Sequence, residues 1–232
     1  MADPQGRDGP RRVLVTGASS GIGAAVAAHL AGAGWQVTGM SRRPPAEMPE
    51  LDHVAADLSD GPGLSAALAA LPPVDAVVHA AGLLRVGPLD SFDHAAGEAM
   101  WRLHVDALAR LIGGLAPRMA PGGRIVAIGS RVAAGAPGRA LYAASKAALQ
   151  GLVRSAAAEL APRGITVNIV APGATDTPML RDPARAAEPP KLPPIGRMIA
   201  PEEVAGTVGF LLSPNAGAIT GQSLVICGGG SL

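Results

Sequence analysis

The run Val13-Leu14-Val15-Thr16-Gly17-Ala18-Ser19-Ser20-Gly21-Ile22-Gly23 passes from an apolar, β-branched strand through a Gly/Ser turn into an Ala-rich helical stretch reaching Ala33. Glycines allow a sharp turn and a close backbone approach to a pyrophosphate. The helix that follows offers unpaired N–H groups and a positive dipole end to anions. The spacing is G-x-x-x-G-x-G, not the G-x-G-x-x-G of two-domain dehydrogenases. A glycine turn by itself also suits a structural loop. Its position between a first strand and a first helix is what points to a dinucleotide.

Working outward, strand and helix patterns alternate. Gln36–Met40, Asp52–Ala56, Val74–His79, Arg124–Gly129, Ile165–Val170 and Ser223–Cys227 read as further strands. Leu64–Leu71, Tyr142–Leu160 and Pro201–Leu212 read as helices, the last opened by Pro and two acids. A long helical region spans Phe92 to Met119, with Gly97 and the Gly113–Gly114 pair weighing against one continuous rod. Several strand runs are continuously apolar, as strands buried on both faces require. The expected fold class is therefore α/β: a Rossmann-type, doubly wound, mostly parallel seven-stranded sheet with helices on both faces. No linker or fixed-period repeat divides the chain. The reading is a flexible arm over residues 1–10 and a single domain over 11–232, with a Pro-rich lid segment at about 180–195.

Composition narrows the function. In 232 residues the apolar share is 48% and the charged share 16%, enough for a sizeable core. Aromatic residues make up only 2%, leaving few platforms for stacked bases. The formal net charge is +1 with no long basic block, so neither nucleic acid nor a membrane surface is an expected partner. Cys227 is the only cysteine, so no intrachain disulfide can form. No run approaches the roughly 18 apolar residues of a membrane span, and the N-terminal stretch lacks a signal-type apolar segment. A cytoplasmic location is expected. No Cys, His and carboxylate grouping has metal-ligand spacing.

The second strand runs out into Ser41-Arg42-Arg43, and no acid follows before Glu47. An acid here would accept bonds from a free ribose 2′-hydroxyl and select NAD. A serine hydroxyl and two guanidinium forks instead suit a 2′-phosphate. NADP(H) is the expected cofactor, although two arginines on a solvated loop would also be unremarkable.

Tyr142 and Lys146 lie four residues apart at the start of an Ala-rich helix, hence on one face. A phenol titrates near ~10 in water, and an adjacent ammonium lowers that value. Such a group can give a proton to a developing alkoxide or take one from an alcohol. Ser130 ends the preceding strand, where ligands gather in open α/β sheets. A Tyr/Lys pair at helical spacing is often mere surface, but Tyr142 is the sole tyrosine.

Together these segments resemble the single-domain short-chain dehydrogenase/reductase family, from Arg12 to Leu232. The motifs occur in family order: Thr16–Gly23, Asp57-Leu58, Ala80-Ala81-Gly82, Ser130, Tyr142-Ala143-Ala144-Ser145-Lys146 and Pro172-Gly173-Ala174-Thr175-Asp176-Thr177. The resemblance implies cofactor contacts from Gly17, Ser19, Ser20, Gly21, Ile22 and Gly23 at the phosphates, and from Asp57 and Leu58 at the adenine. It also implies that Ala80, Ala81, Gly82 and Lys146 lie along the nicotinamide ribose, and that Val105 contacts the cofactor. Pro172, Gly173, Thr175 and Thr177 would hold the carboxamide. Tyr142 would be the proton donor or acceptor, and Ser130 would orient the carbonyl.

Two departures stand out. Ala80 replaces the usual Asn, which removes a polar contact between strands. His104 stands where an Asn usually anchors a proton-relay water. It could serve through its backbone carbonyl, shuttle protons through its imidazole, or simply fill the core. His79 carries no special warrant.

The resemblance implies a ketoreductase acting on a small or secondary-metabolite ketone or a 3-oxoacyl substrate. An NAD-linked secondary alcohol dehydrogenase is the alternative enzyme. A dehydratase or isomerase, and a cofactor-binding sensor or assembly subunit without turnover, are the other readings. The Ala-rich helices resemble the family's subunit-pairing helices, so a homotetramer or homodimer is expected.

Overall fold

The structure is a computed structural model that describes residues 9–181 and 191–232. Strands β1 (Arg12–Thr16), β2 (Gln36–Ser41), β3 (Asp52–Ala55), β4 (Ala76–His79), β5 (Arg124–Ile128), β6 (Thr166–Pro172) and β7 (Ser223–Ile226) form one seven-stranded sheet. Their order is β3-β2-β1-β4-β5-β6-β7, and every pair is parallel. The helices are α1 (Gly21–Gly32), α2 (Gly61–Ala70), α3 (His94–Trp101), α4 (Ala107–Leu115), α5 (Ala140–Leu160) and α6 (Pro201–Leu212).

Side chains alternate across each strand, and in the central strands β1, β4, β5 and β6 both faces are buried. In β1, Leu14 enters one apolar cluster, while Val13 and Val15 enter the other. In β5, Ile125 and Ala127 oppose Val126 and Ile128 in the same way. The first cluster is completed by Leu64 and Leu68 of α2, Leu108 and Leu111 of α4, and Leu149 and Val153 of α5. The second takes Val26 and Leu30 of α1 with Val204, Val208 and Leu211 of α6. This two-sided burial is why the strands read as unbroken apolar runs.

The region expected to be helical from Phe92 to Met119 is interrupted, but not at its glycines. Asp93 caps α3 by accepting from the Ala96 N–H at 2.9 Å. The chain then passes through a π-turn, Arg102–Asp106, before α4 begins. Gly97 instead lets α3 meet α5, since a Cβ there would lie 3.0 Å from Leu141 Cδ1. Gly113 and Gly114 are ordinary helical positions within α4.

Among the described residues, no helix is long and apolar enough to cross a membrane. Residues 1–8 of the expected arm and 182–190 of the expected lid segment lie outside the described residues.

Candidate active site

The strand order reverses between β1 and β4, which opens a crevice above their carboxyl ends. A cavity of about 1250 Å³ occupies that position. Its floor and rim come from loops that follow β1 to β6.

At the β1 end, Gly17 adopts φ +70°, and a Cβ on it would lie 2.7 Å from the Ala81 nitrogen. Gly21 also has positive φ, at +56°, and a Cβ on Gly23 would overlap the Gly17 carbonyl. The turn is thus wound tightly against the loop after β4. Ser20 opens α1 without a side-chain cap, and no acid stands in the first turn. The N–H groups at that helix start are therefore left for an anion. Gly17, Ser19, Ser20, Gly21, Ile22 and Gly23 all border the cavity. A diphosphate fits this cradle.

Past β2, Arg42 and Arg43 are exposed at the cavity rim. Ser41 is buried, and its hydroxyl donates to the Arg43 carbonyl at 2.7 Å. The same oxygen lies 3.1 Å from His53 Nε2 and accepts from it. Ser41 therefore shapes the arginine turn instead of standing free for a ligand. Asp57 accepts from the Ser59 hydroxyl and N–H at 2.6 and 2.9 Å, and these bonds, aided by the Arg42 charge, hold its pKa below the usual carboxylate value. Leu58 is buried beneath it.

The other half of the cavity holds the Ser/Tyr/Lys cluster. Ser130 follows β5, and its Oγ accepts from the Val132 N–H at 3.2 Å, which leaves the hydroxyl hydrogen to donate elsewhere. Tyr142 and Lys146 project from the first turns of α5 into the same cavity. Lys146 is 5% exposed and donates from Nζ to the Ile128 carbonyl at 2.8 Å. Burial brings its pKa down to about 7.

His104 sits on the π-turn, wholly buried, with its ring edge-on to Tyr142 at 5.7 Å between centroids. Its Nε2 accepts from the Leu83 N–H at 3.0 Å, so its proton is on Nδ1. That Nδ1 donates at 2.9 Å to Ser145 Oγ, whose hydroxyl donates at 2.8 Å to the Tyr142 carbonyl. Burial first, then Lys146 and His79, depress its pKa. With both nitrogens engaged and charging opposed, the imidazole is not a proton shuttle. It ties α5 to the loop after β4.

Sequence reasoning missed His79. It is 1% exposed, and its Nδ1 accepts from the Thr16 hydroxyl at 2.9 Å while Nε2 donates to the Leu103 carbonyl at 3.0 Å. Thr16 Oγ1 in turn accepts from the Ala81 N–H at 3.3 Å. Burial is the main cause that lowers its pKa to about 3. The inter-strand polar tie that Ala80 cannot make is thus made one residue earlier. A signal was available: His79 is a polar residue inside a fully apolar run.

Ala80, Ala81 and Gly82 border the cavity beside these groups. Pro172, Gly173, Thr175 and Thr177 close it from the β6 side, and Thr177 sits against Gly21 across the crevice. Val105 is the exception among the expected cofactor contacts. It does not line the cavity but lies on the π-turn and packs against the core. Sequence reasoning also passed over Leu84, Arg85, Arg131, Arg139 and Met179, which complete the wall. Leu180 and Lys191, both within the expected lid segment, border the cavity as well. Among the described residues, no group of His, Cys, Asp and Glu could hold a metal.

The sequence model of a family described as enoyl-(acyl carrier protein) reductase matches residues 17–231. The chain belongs to the short-chain dehydrogenase/reductase family. It is 36% identical to the 3-oxoacyl-(acyl-carrier-protein) reductase FabG of Vibrio cholerae, over 93% of this chain and 95% of that one. It is equally identical to the 2,3-dihydro-2,3-dihydroxybenzoate dehydrogenase of Escherichia coli, over 96% and 97% of the two chains. Among solved structures, a short-chain dehydrogenase from Burkholderia cenocepacia in complex with NADP superposes with a TM-score of 0.87. That pair is 35% identical over 97% of this chain and 99% of the other. The parallel sheet and the crevice of this short-chain dehydrogenase/reductase are therefore the family's architecture.

Proposed function

We propose that this short-chain dehydrogenase/reductase uses NADP(H) to interconvert a ketone and a secondary alcohol, chiefly as a ketoreductase. The observation that carries the reading is the single cavity running from Arg42 and Arg43 to Tyr142 and the buried Lys146. The solved relative that holds NADP supports the cofactor choice, as do the two guanidinium groups positioned for a 2′-phosphate. The glycine turn and the open start of α1 take the pyrophosphate. Asp57 and Leu58 flank the adenine, and Pro172, Gly173, Thr175 and Thr177 face the carboxamide.

When bound, the nicotinamide supplies or accepts the hydride. Ser130 donates its free hydroxyl hydrogen to the substrate oxygen and polarises the carbonyl. Tyr142 gives that oxygen its proton, or removes it in the reverse direction. Lys146, buried and with a pKa near neutrality, gains charge when a ribose hydroxyl or phenolate oxygen becomes its partner. His104, through Ser145, holds the Tyr142 backbone in place. The segment around 180–195 acts as a lid, with Leu180 and Lys191 bordering the cavity.

The test is NADPH and NADH oxidation against a panel of cyclic and acyclic ketones, with alcohol oxidation as the reverse assay. Turnover with NADPH on at least one ketone, and weaker turnover with NADH, is expected. Cofactor binding without turnover in either direction would defeat the reading in favour of a sensor.

A further inference from the structure

We infer that the substrate carries a carboxylate a few bonds from its reacting carbonyl, and that Arg139 receives it. This rests on the oxidoreductase reading above and extends it to a substrate class.

The wall of the cavity beyond the cofactor cradle is cationic. Arg85 follows β4, Arg131 and Arg139 follow β5, and Lys191 follows β6. Among the described lining residues the one carboxylate is Asp57, which lies at the opposite, β3 end and is engaged by Ser59. Among the described residues the substrate half is therefore lined by positive groups and by no acid. A cleft of one sign concentrates ligands of the other.

Arg139 is the best placed of these groups. It sits at the start of α5, three residues before Tyr142, about one helical turn away. Its Nε is buried and has no hydrogen-bond partner among the described residues. Buried donors in folded proteins are almost always satisfied, so the Arg139 side chain, which lines the cavity, gains the partner its Nε lacks by turning to a ligand acceptor. A guanidinium matches a carboxylate with two parallel bonds. Arg85, by contrast, is exposed and already bonded to the Leu84 carbonyl. With Arg139 at the N-cap of the helix that carries the phenol, the anion is expected close to the reacting carbon. That favours an oxo acid over a thioester whose phosphate lies at the far end of a carrier arm.

Two measurements test this. NADPH oxidation is followed with 3-oxocyclohexanecarboxylate and with its methyl ester, in the intact chain and in Arg139→Gln and Arg139→Lys. The intact chain should favour the acid by about tenfold or more in kcat/KM, mainly through KM. Arg139→Gln should bring that ratio near one, and Arg139→Lys should keep part of it. Equal use of acid and ester by the intact chain, or a preference that survives Arg139→Gln, overturns the inference. So does a preference for acetoacetyl-phosphopantetheine over acetoacetyl-pantetheine that does not need Arg139. Independently of turnover, the acid is titrated calorimetrically onto the NADP⁺ complex. Binding that Arg139→Gln weakens about tenfold, with no ketone reduced, keeps the anion site and defeats the ketoreductase reading. Binding indifferent to Arg139 overturns the inference whatever the turnover.

Discussion

The Thr16 hydroxyl donates to His79 Nδ1 at 2.9 Å across the β1–β4 pairing, at the point where the sheet reverses its winding. The same threonine precedes the glycine turn, and the same imidazole donates to the π-turn at Leu103. One buried hydrogen-bonded unit therefore joins the phosphate cradle to the segment that carries His104. Replacing His79 by Ala would strand the Thr16 hydroxyl and the Leu103 carbonyl in the interior. The expected loss is about 2–4 kcal/mol of unfolding free energy, read from urea denaturation. A loss within experimental error would mean that water replaces the ring at no cost.

Acid should destabilise the chain through its buried histidines. His79 binds its proton near pH 3 when folded and near 6.5 when unfolded. Between those values the unfolded chain holds the extra proton, so stability rises with pH and falls as acid is added. The slope is about 1.4 kcal/mol per pH unit for such a group, and His104 shifts in the same direction. Lys146 acts with the same sign in another window, from about 7 to 10.5. Tm should drop steadily from pH 6.5 to 4.5, and His79→Gln should flatten that slope.

Tyr142→Phe removes only the phenolic oxygen and leaves the ring against His104. Turnover should fall by roughly 10²–10⁴ while the NADPH dissociation constant changes little. Fluorescence titration and initial rates on one preparation separate the two effects. Turnover retained within about tenfold would remove Tyr142 from its assigned role.

Arg42 and Arg43 stand at the rim without burial, so they can be exchanged with little effect on the fold. Arg42→Ala with Arg43→Ala should raise KM for NADPH by about tenfold or more and leave KM for NADH nearly as it was. Equal changes for both cofactors would show that these arginines do not read a 2′-phosphate.

Gly17→Ala places a methyl group at φ +70° and 2.7 Å from the Ala81 nitrogen. The turn and the loop after β4 cannot both stay where they are. Cofactor affinity should collapse, and Tm should fall with it. A variant that binds NADPH normally would show that the two loops separate freely.

The amino-acid sequence alone determined the alternation of strands and helices, the glycine turn after β1, and the placing of Tyr142 and Lys146 on one helical face. These are short-range matters: a period of two or of 3.6, a residue that tolerates positive φ, and a spacing of four. What tertiary structure decided was partnership. His79 is bonded to residues 63 and 24 positions away, and His104 to one 41 positions away. No local pattern encodes such a meeting, because both rings acquire their tautomers only when distant donors and acceptors are buried together. Val105, on the π-turn, packs against the core and does not line the cavity, which its sequence position alone does not reveal. Arg139 looks like any loop arginine until the fold buries its Nε beside the phenol-bearing helix.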